Sequence, residues 1–334
     1  MSSPALEQNT VDSDTSANPR AAEKRSPLIL FAAFAAIYVI WGSTYLGIAV
    51  GLESFPPLLL AATRHLTAGI ILYPVLRWQT GIRPTRTQWR TAAITGLLLL
   101  LIGNGAVCLS EHSVPTGVAA LLVAMVSFWM ILLDWLRPGG SKPGRRVIVS
   151  LILGFGGLLM LVGPAHFGGS ARVDPAGAGI LAVGSFAWAC GSIYSKHHDL
   201  PRSPMLGVAM QSLVGGAALW IVGLAAGEGH NFHPFAVSLR CWLAVAYLIV
   251  FGSGLGFTAY VYLLKNTLAA RVGTYAFVNP IVALCLGWIA AGEAITLRTG
   301  LAAAVTLTAV LLVITATHKS TVEAAECLPT PGEA

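Results

Sequence analysis

Long apolar runs recur along this chain at short intervals, and they constrain its fold more than any other feature. A helix that crosses the hydrocarbon core of a bilayer needs about 20 predominantly apolar residues. Divided at prolines, glycines and charge clusters, the sequence predicts ten such helices and therefore an all-α integral membrane protein. Their ranges are 28–50, 57–76, 91–110, 115–136, 147–164, 175–195, 204–226, 242–264, 270–291 and 298–317.

The composition favours a lipid environment. Of the 334 residues, 55% are hydrophobic and only 10% are charged, whereas an average soluble domain carries about 25% charged residues. A soluble fold of this length could not bury so much apolar surface. The five cysteines form no C-x-x-C pair, so we interpret them as small apolar side chains rather than metal ligands or disulfide partners.

The positions of the charges predict the orientation of the chain. With the N-terminus in the cytoplasm, sixteen of the 20 Lys and Arg residues fall on that side, three fall outside, and Arg64 lies within a helix. Cytoplasmic loops are enriched in Lys and Arg. We therefore expect an inner (plasma) membrane protein with both termini cytoplasmic. Residues 1–27 form a disordered tail rather than a signal peptide, because the apolar run after them is too long, and 318–334 form a second tail.

The chain also matches itself. Each copy, 28–164 and 175–317, holds five predicted helices, an odd number, so the second copy enters the membrane from the opposite side. Inverted repeats of this kind are a transporter architecture, with the substrate site near the membrane midplane. A shift of 147 residues, which becomes 153 after a longer loop, aligns Trp41 with Trp188, Pro57 with Pro204, Trp89 with Trp242, Gly103 with Gly256 and Trp135 with Trp288.

Three segments carry a family resemblance: YVIWGSTYLGIAVGLESFPPLLLAATRHLTAG, GNGAVCLSEHSVPTGVAALLVAMV and GTYAFVNPIVALCLGWIAAGE. Over residues 28–317 the chain resembles the EamA family of the drug/metabolite transporter superfamily, and within it the YedA-type exporters. The resemblance implies a cavity lined by the first, third, fourth, sixth, eighth and ninth helices. In this family the fourth helix often carries a proline at the position of Ser127 in this chain. We therefore expect the fourth helix to be straighter than its partner in the second copy, the ninth helix, where the matching residue is Pro280.

Aromatic and polar residues near the helix centres are the candidate substrate contacts. Trp41, Thr44 and Tyr45 share one helical face. Pro280 cannot donate a hydrogen bond to the carbonyl of Ala276, which favours a kink at a cavity. For each candidate, packing in the protein core is the alternative. The candidate cavity residues are Trp41, Thr44, Tyr45, Asn104, Trp188, Ser192, Tyr260, Tyr275, Asn279 and Pro280.

Four ionisable residues are candidates for a gate or an intramembrane polar site. Arg64 carries a full charge and lies well inside a predicted helix. An ionisable residue within the membrane is by default a candidate for a functional site. Its mate in the second copy is Gln211, also polar, so a structural hydrogen-bonding role is the alternative. Glu111 and His112 end the third helix and Glu293 ends the ninth. Gate contacts are one interpretation of these three, and charges that are solvated or paired at a helix end are the alternative.

Taken together, these features predict a transporter, an exporter of metabolites, amino acids or drug-like amphipathic solutes by alternating access. The few charges favour neutral, zwitterionic or amphipathic solutes over polyanions. We expect no cofactor, no metal site, no catalytic residue and no nucleic-acid partner; the partners are the lipid bilayer and a small-molecule substrate. A membrane-integral enzyme and a receptor or assembly protein stay as alternatives, and the oligomeric state is left open, a monomer included.

The energy source is predicted from the acids near the helices. Proton-coupled carriers usually place a carboxylate or a histidine at membrane depth. Here the acids lie at or beyond helix ends, and His65 is placed towards the outer third of its helix. We therefore expect gradient-driven movement, with any proton effect confined to Glu111 or Glu293.

Overall fold

Every regular element in the described part of the chain is a helix. The computed structural model describes residues 27–138, 140, 142–162, 174–230, 232–291, 296–298, 300–305, 307–309 and 311–312. The long helices are α1 (Pro27–Leu52), α2 (Pro57–Thr80), α3 (Arg86–Ser110), α4 (Thr116–Leu136), α5 (Arg145–Val162), α6 (Pro175–His197), α7 (Pro204–Ala225), α8 (Leu239–Asn266) and α9 (Tyr275–Ala291). A 3₁₀ turn, Pro234–Ala236, and one helical turn, Ala269–Val272, lie between them.

Among the described residues, seven helices are long and apolar enough to cross a membrane: α1, α2, α3, α4, α6, α7 and α8. The helices α5 and α9 occupy the fifth and ninth predicted positions but are shorter, with 18 and 17 residues. The described residues between 300 and 309 are helical too. Most of the two predicted tails lies outside the described residues.

Local sequence signals set the helix ends. Gly81 ends α2 with φ 63° and donates its N–H to the carbonyl of Arg77, a conformation that glycine adopts at little cost. Thr85 and Gln88 exchange side-chain and backbone hydrogen bonds in a capping box before α3. Side chains that accept a hydrogen bond from the first helical turn also start α6, α7 and α8; they belong to Asp174, Ser203 and Ser238.

Two glycines let α2 and α7 pack closely. A Cβ atom on Gly69 would lie 2.6 Å from the backbone nitrogen of Leu213, and one on Gly216 would lie 2.4 Å from that of Leu66. Small residues at such positions allow two helix backbones to approach each other in a membrane protein. The contact is reciprocal, because Leu213 and Gly216 follow Leu66 and Gly69 by the same 147 residues.

The helices α3 and α8 each contain a π-helical stretch, Leu97–Asn104 and Leu248–Gly256. Such stretches widen the helical turn and often occur at functional sites. The two stretches overlap when the chain is shifted by 153 residues. Nothing in the local sequence predicted them.

The expectation of a straighter fourth helix is wrong. The helix α4 is interrupted between its parts Thr116–Val123 and Val126–Leu136. There the N–H groups of Met125, Ser127 and Phe128 bond to carbonyls three residues earlier rather than four. The Ser127 hydroxyl donates to the carbonyl of Gly273 at 2.9 Å. A proline is therefore not needed for α4 to depart from regular helix at this level.

Candidate substrate cavity

A central cavity of about 70 Å³ lies among α1, α2, α3, α4, α6, α8 and α9. One buried water needs about 10–15 Å³ of such space, so several waters fit. Six of these helices are those that the family resemblance implied, and α2 is an addition. Seven of the ten candidate cavity residues line the cavity: Trp41, Thr44, Tyr45, Asn104, Trp188, Tyr275 and Asn279.

The other three candidates, Ser192, Tyr260 and Pro280, lie outside the cavity wall. The Tyr260 hydroxyl accepts a hydrogen bond from Trp188 Nε1 at 3.1 Å and lies 2.6 Å from the Ser192 hydroxyl, which itself donates to the carbonyl of Trp188. Ser192 and Tyr260 therefore support Trp188 from behind. Pro280 is buried within α9. Helical spacing gives the side of a helix, not the layer of side chains in which a residue lies.

Four rings, Trp41, Trp188, Tyr260 and Tyr275, form the aromatic cluster. Trp41 is its centre, with ring centroids 5.6 Å from Trp188, 4.9 Å from Tyr260 and 5.0 Å from Tyr275. Edge-on and tilted contacts at these distances are favourable for aromatic rings. Because Trp41 Nε1 also donates to the carbonyl of Gly252 at 3.2 Å, both indole N–H groups of the cluster are satisfied by protein atoms.

Glycines face both tryptophans. A Cβ atom on Gly256 would lie 2.5 Å from Trp41 Nε1, and one on Gly103 would lie 2.8 Å from Trp188 Cε3. Each indole therefore occupies space that only glycine leaves free. The two contacts correspond to each other under the shifts of 147 and 153 residues, as the α2 and α7 contacts do.

A second group of side chains, the polar chain, consists of Arg64, Ser253, His65 and Asn104. Arg64 Nε donates to Ser253 Oγ at 2.8 Å, and Ser253 Oγ lies 3.2 Å from His65 Nδ1. His65 Nε2 lies 3.1 Å from Asn104 Oδ1, an oxygen that can only accept. His65 Nε2 therefore donates to Asn104, and the Ser253 hydroxyl, which accepts from Arg64, can donate to Nδ1 when that nitrogen is unprotonated.

Gly252 joins the two groups of side chains. Its carbonyl accepts the hydrogen bond from Trp41, and a Cβ atom on it would lie 2.7 Å from Arg64 Nη2 and 3.0 Å from Thr44 Cγ2. Sequence reasoning missed Gly252, Ser253 and the contact of His65 with the cavity. The adjacent pair Arg64 and His65 in an apolar run was the available signal, since two neighbouring polar residues there need partners.

Asn279 lines the cavity, but its amide is used elsewhere. In the orientation that satisfies its surroundings, the amide nitrogen donates to the carbonyls of Ile37, Tyr38 and Tyr275. Two of these carbonyls belong to α1, so Asn279 fastens α9 to α1. The nearby hydroxyls of Tyr38 and Thr274 lie 2.7 Å apart and join the same two helices.

Two of the candidate gate residues, Arg64 and Glu111, interact electrostatically. Arg64 lines the central cavity, Glu111 is a half-buried residue at the end of α3, and His112 is exposed. Glu293 lies outside the described residues. Across the described ranges there is no group of three or more His, Cys, Asp or Glu residues that could hold a metal ion.

Comparisons with known proteins identify a transporter family. The model of the EamA-like transporter family matches residues 27–163 and again 175–315. "Uncharacterized inner membrane transporter YedA" of Escherichia coli (strain K12) is 40% identical over 290 residues, which are 86% of this chain and 92% of that protein. A "Probable amino-acid metabolite efflux pump" of Salmonella typhimurium is 25% identical over 275 residues, 78% of this chain and 86% of the relative.

A solved crystal structure has the same fold. It superposes with a TM-score of 0.64 at 20% sequence identity and covers 86% of this chain and 98% of its own. This similarity concerns the fold alone.

Proposed function

Because the chain belongs to the EamA-like transporter family, whose model matches it twice, we propose that it exports small metabolites, amino acids or amphipathic drug-like solutes by alternating access. The observation that carries the proposal is the central cavity, to which both matched segments contribute a tryptophan. Export rather than uptake is favoured by the relative named as an amino-acid metabolite efflux pump, and the inner membrane by the relative named as a transporter there.

We propose further that the chain has ten membrane helices in two inverted repeats, 28–164 and 175–317, with both termini cytoplasmic. The double match to the family supports two copies of one unit. In a reciprocal contact, a residue of one copy touches a residue of the other, and their equivalents touch each other with the two copies exchanged. Such contacts are typical of a two-fold axis. The α2 and α7 contact has this form, and so do the two tryptophans on their glycines.

Alternating access requires contacts between the copies that open and close at each end of the cavity. Two candidates lie at the proposed cytoplasmic end: the hydrogen bond between Tyr38 and Thr274, and that from Ser127 to the Gly273 carbonyl. At the other end the Glu228 carboxylate accepts hydrogen bonds from the first N–H groups of α2, those of Leu58 and Leu59, at 3.1 and 2.9 Å.

Flux through reconstituted vesicles tests the transport proposal. Liposomes loaded with labelled amino acids and a metabolite extract should show saturable efflux that protein-free liposomes lack. Tyr275→Ala should reduce it, whereas Tyr73→Ala, which removes the same ring at a distance from the cavity, should not. No flux of any solute would contradict the proposal, and conversion of a solute into a product would favour the membrane enzyme.

Cysteine labelling tests the orientation. In a variant without native cysteines, a membrane-impermeant maleimide should label His230→Cys, between α7 and α8, in intact cells. Arg83→Cys, between α2 and α3, should react only after permeabilisation. Labelling of both sites would contradict the inverted arrangement, and labelling of Arg83→Cys alone would contradict the cytoplasmic location of the termini.

A further inference from the structure

Arg64 carries a buried charge with spare hydrogen-bonding capacity. Arg64 is only 4% exposed, and its Nη1 has no hydrogen-bond partner in the described structure. The ion pairs found among the described residues, Arg137 with Asp134 and Arg240 with Glu53, do not include it. Glu111 at the end of α3 interacts with Arg64 electrostatically but is not part of an ion pair with it. A buried guanidinium outside an ion pair is costly, so the site gains most when a ligand places a negative charge directly on Arg64.

The surroundings hold the guanidinium in one orientation. Ser253 fixes Nε at 2.8 Å, and Gly252 leaves the space beside Nη2 that a Cβ atom would fill. The unused Nη1 belongs to a residue that lines the cavity. A planar guanidinium fixed in this way is suited to a carboxylate, whose two oxygens match its fork of N–H groups.

The rest of the cavity wall limits what else the ligand carries. No Asp, Glu or Lys lines the cavity within the described residues, so neither a ligand ammonium group nor a second negative charge meets an opposite charge there. The remaining wall is mainly aromatic and aliphatic, and its polar residues include Thr44, His65, Asn104, Ser185 and Asn279. One cation and a mainly apolar wall match one anionic group on an apolar body.

We propose that Arg64 anchors the carboxylate of an amphipathic monocarboxylic acid in the central cavity, and that an ammonium group on the solute is not required. This proposal rests on the proposed transport function and narrows its substrate class. It also assigns Arg64 a binding role in place of a gate or a purely structural role. The guanidinium contacts the solute directly, while Ser253 and Gly252 position it.

Three probes that share one aromatic scaffold test the requirement for a carboxylate. Phenylacetate, phenylacetamide and 2-phenylethylamine differ in the charge of the head group, and their binding to purified protein in nanodiscs can be measured by calorimetry. A hydrogen bond to a charged partner contributes about 1.5–3 kcal/mol, so phenylacetate should bind roughly tenfold to a hundredfold more tightly than phenylacetamide. Arg64→Gln should remove this preference. Equal binding of acid and amide, or a preference that survives in Arg64→Gln, would overturn the proposal.

A glycine pair guards against a variant that fails to fold. Gly252→Ala intrudes on Arg64 and should weaken phenylacetate binding with little change for phenylacetamide. Gly254→Ala, in the same π-helical stretch, is the control, since a Cβ atom there meets only the Ile249 carbonyl at 3.5 Å. If both alanine variants bind phenylacetate like the unmodified protein, the proposal is wrong.

Binding and flux separate this proposal from the transport function on which it rests. Selective binding of phenylacetate without flux of any solute would leave the Arg64 site standing and contradict transport. Flux of solutes with no preference for a carboxylate in either assay would leave transport standing and contradict the Arg64 site.

Discussion

The aromatic cluster and the polar chain meet at Gly252, yet they are held in different ways. In the aromatic cluster both indole N–H groups are bonded to protein atoms and the rings pack on one another. In the polar chain each hydrogen bond joins side chains of two different helices, and Nη1 of Arg64 is left over. The cluster therefore defines the shape of the cavity, and the chain supplies the remaining capacity for recognition.

The largest expected effect falls on the aromatic cluster. Trp41→Ala removes a buried ring that contacts three others, and replacing a buried tryptophan by alanine typically costs about 3–5 kcal/mol. Trp78→Ala is the matched control, because Trp78 is 85% exposed. In detergent, the midpoint temperature of thermal unfolding should fall strongly in Trp41→Ala and hardly at all in Trp78→Ala. Similar decreases for both would mean that the cluster does not organise the cavity.

Replacing two buried serines tests how much the polar chain contributes to folding stability. Ser253→Ala leaves Arg64 Nε and His65 Nδ1 without their partner, which should cost about 1–3 kcal/mol. Ser212, the mate of His65 in the second copy, is equally buried, but its hydroxyl has no partner within the described residues. Ser212→Ala should therefore be neutral or slightly stabilising in the same unfolding assay. Equal losses would show that the polar chain contributes no more than an isolated hydroxyl.

These two groups also differ in how far the sequence predicts them. Trp41 and Trp188 are large, recur at a constant shift and lie near helix centres, so their meeting could be expected from the repeat. The partners of His65 could not, because Ser253 and Asn104 are set by the rotation of α8 and α3 about their axes. The π-helical stretches that alter this rotation have no signal in their apolar sequence.

Helix faces were predicted better than the use of each side chain. Thr44 and Tyr45 line the cavity as their spacing from Trp41 indicated. Asn279 also lines it, but three backbone carbonyls occupy its amide nitrogen, and Tyr260 lies one layer behind. Whether a polar atom is free or already bonded depends on partners that are distant in sequence, which periodicity does not report.

A smaller effect is expected where a polar group has local partners. Asp174 starts α6, and hydrogen bonds from the N–H groups of Gly177 and Ala176 and from the Ser113 hydroxyl lower the pKa of its carboxyl. The folding stability that this lowered pKa contributes is present above the ordinary pKa of 3.8 and is lost as the pH falls through the lowered value. Asp174→Asn keeps a capping side chain, so its unfolding temperature at neutral pH should match that of the unmodified protein. The variant should lack the part of the acid-induced loss of stability that comes from Asp174. An unchanged acid dependence in Asp174→Asn would assign that component to other carboxyls.

The smallest expected effect is that of a pH gradient on flux, and it asks whether the polar chain moves protons as well as binding solutes. Both ring nitrogens of His65 are occupied in its neutral form, and no Asp or Glu lines the cavity among the described residues. We therefore predict that liposomes with equal substrate on both sides accumulate none when a pH difference is imposed. Protein-free liposomes give the baseline, because undissociated carboxylic acids cross lipid unaided. Accumulation above this baseline that a protonophore abolishes, and that His65→Gln lacks, would make the polar chain a proton pathway.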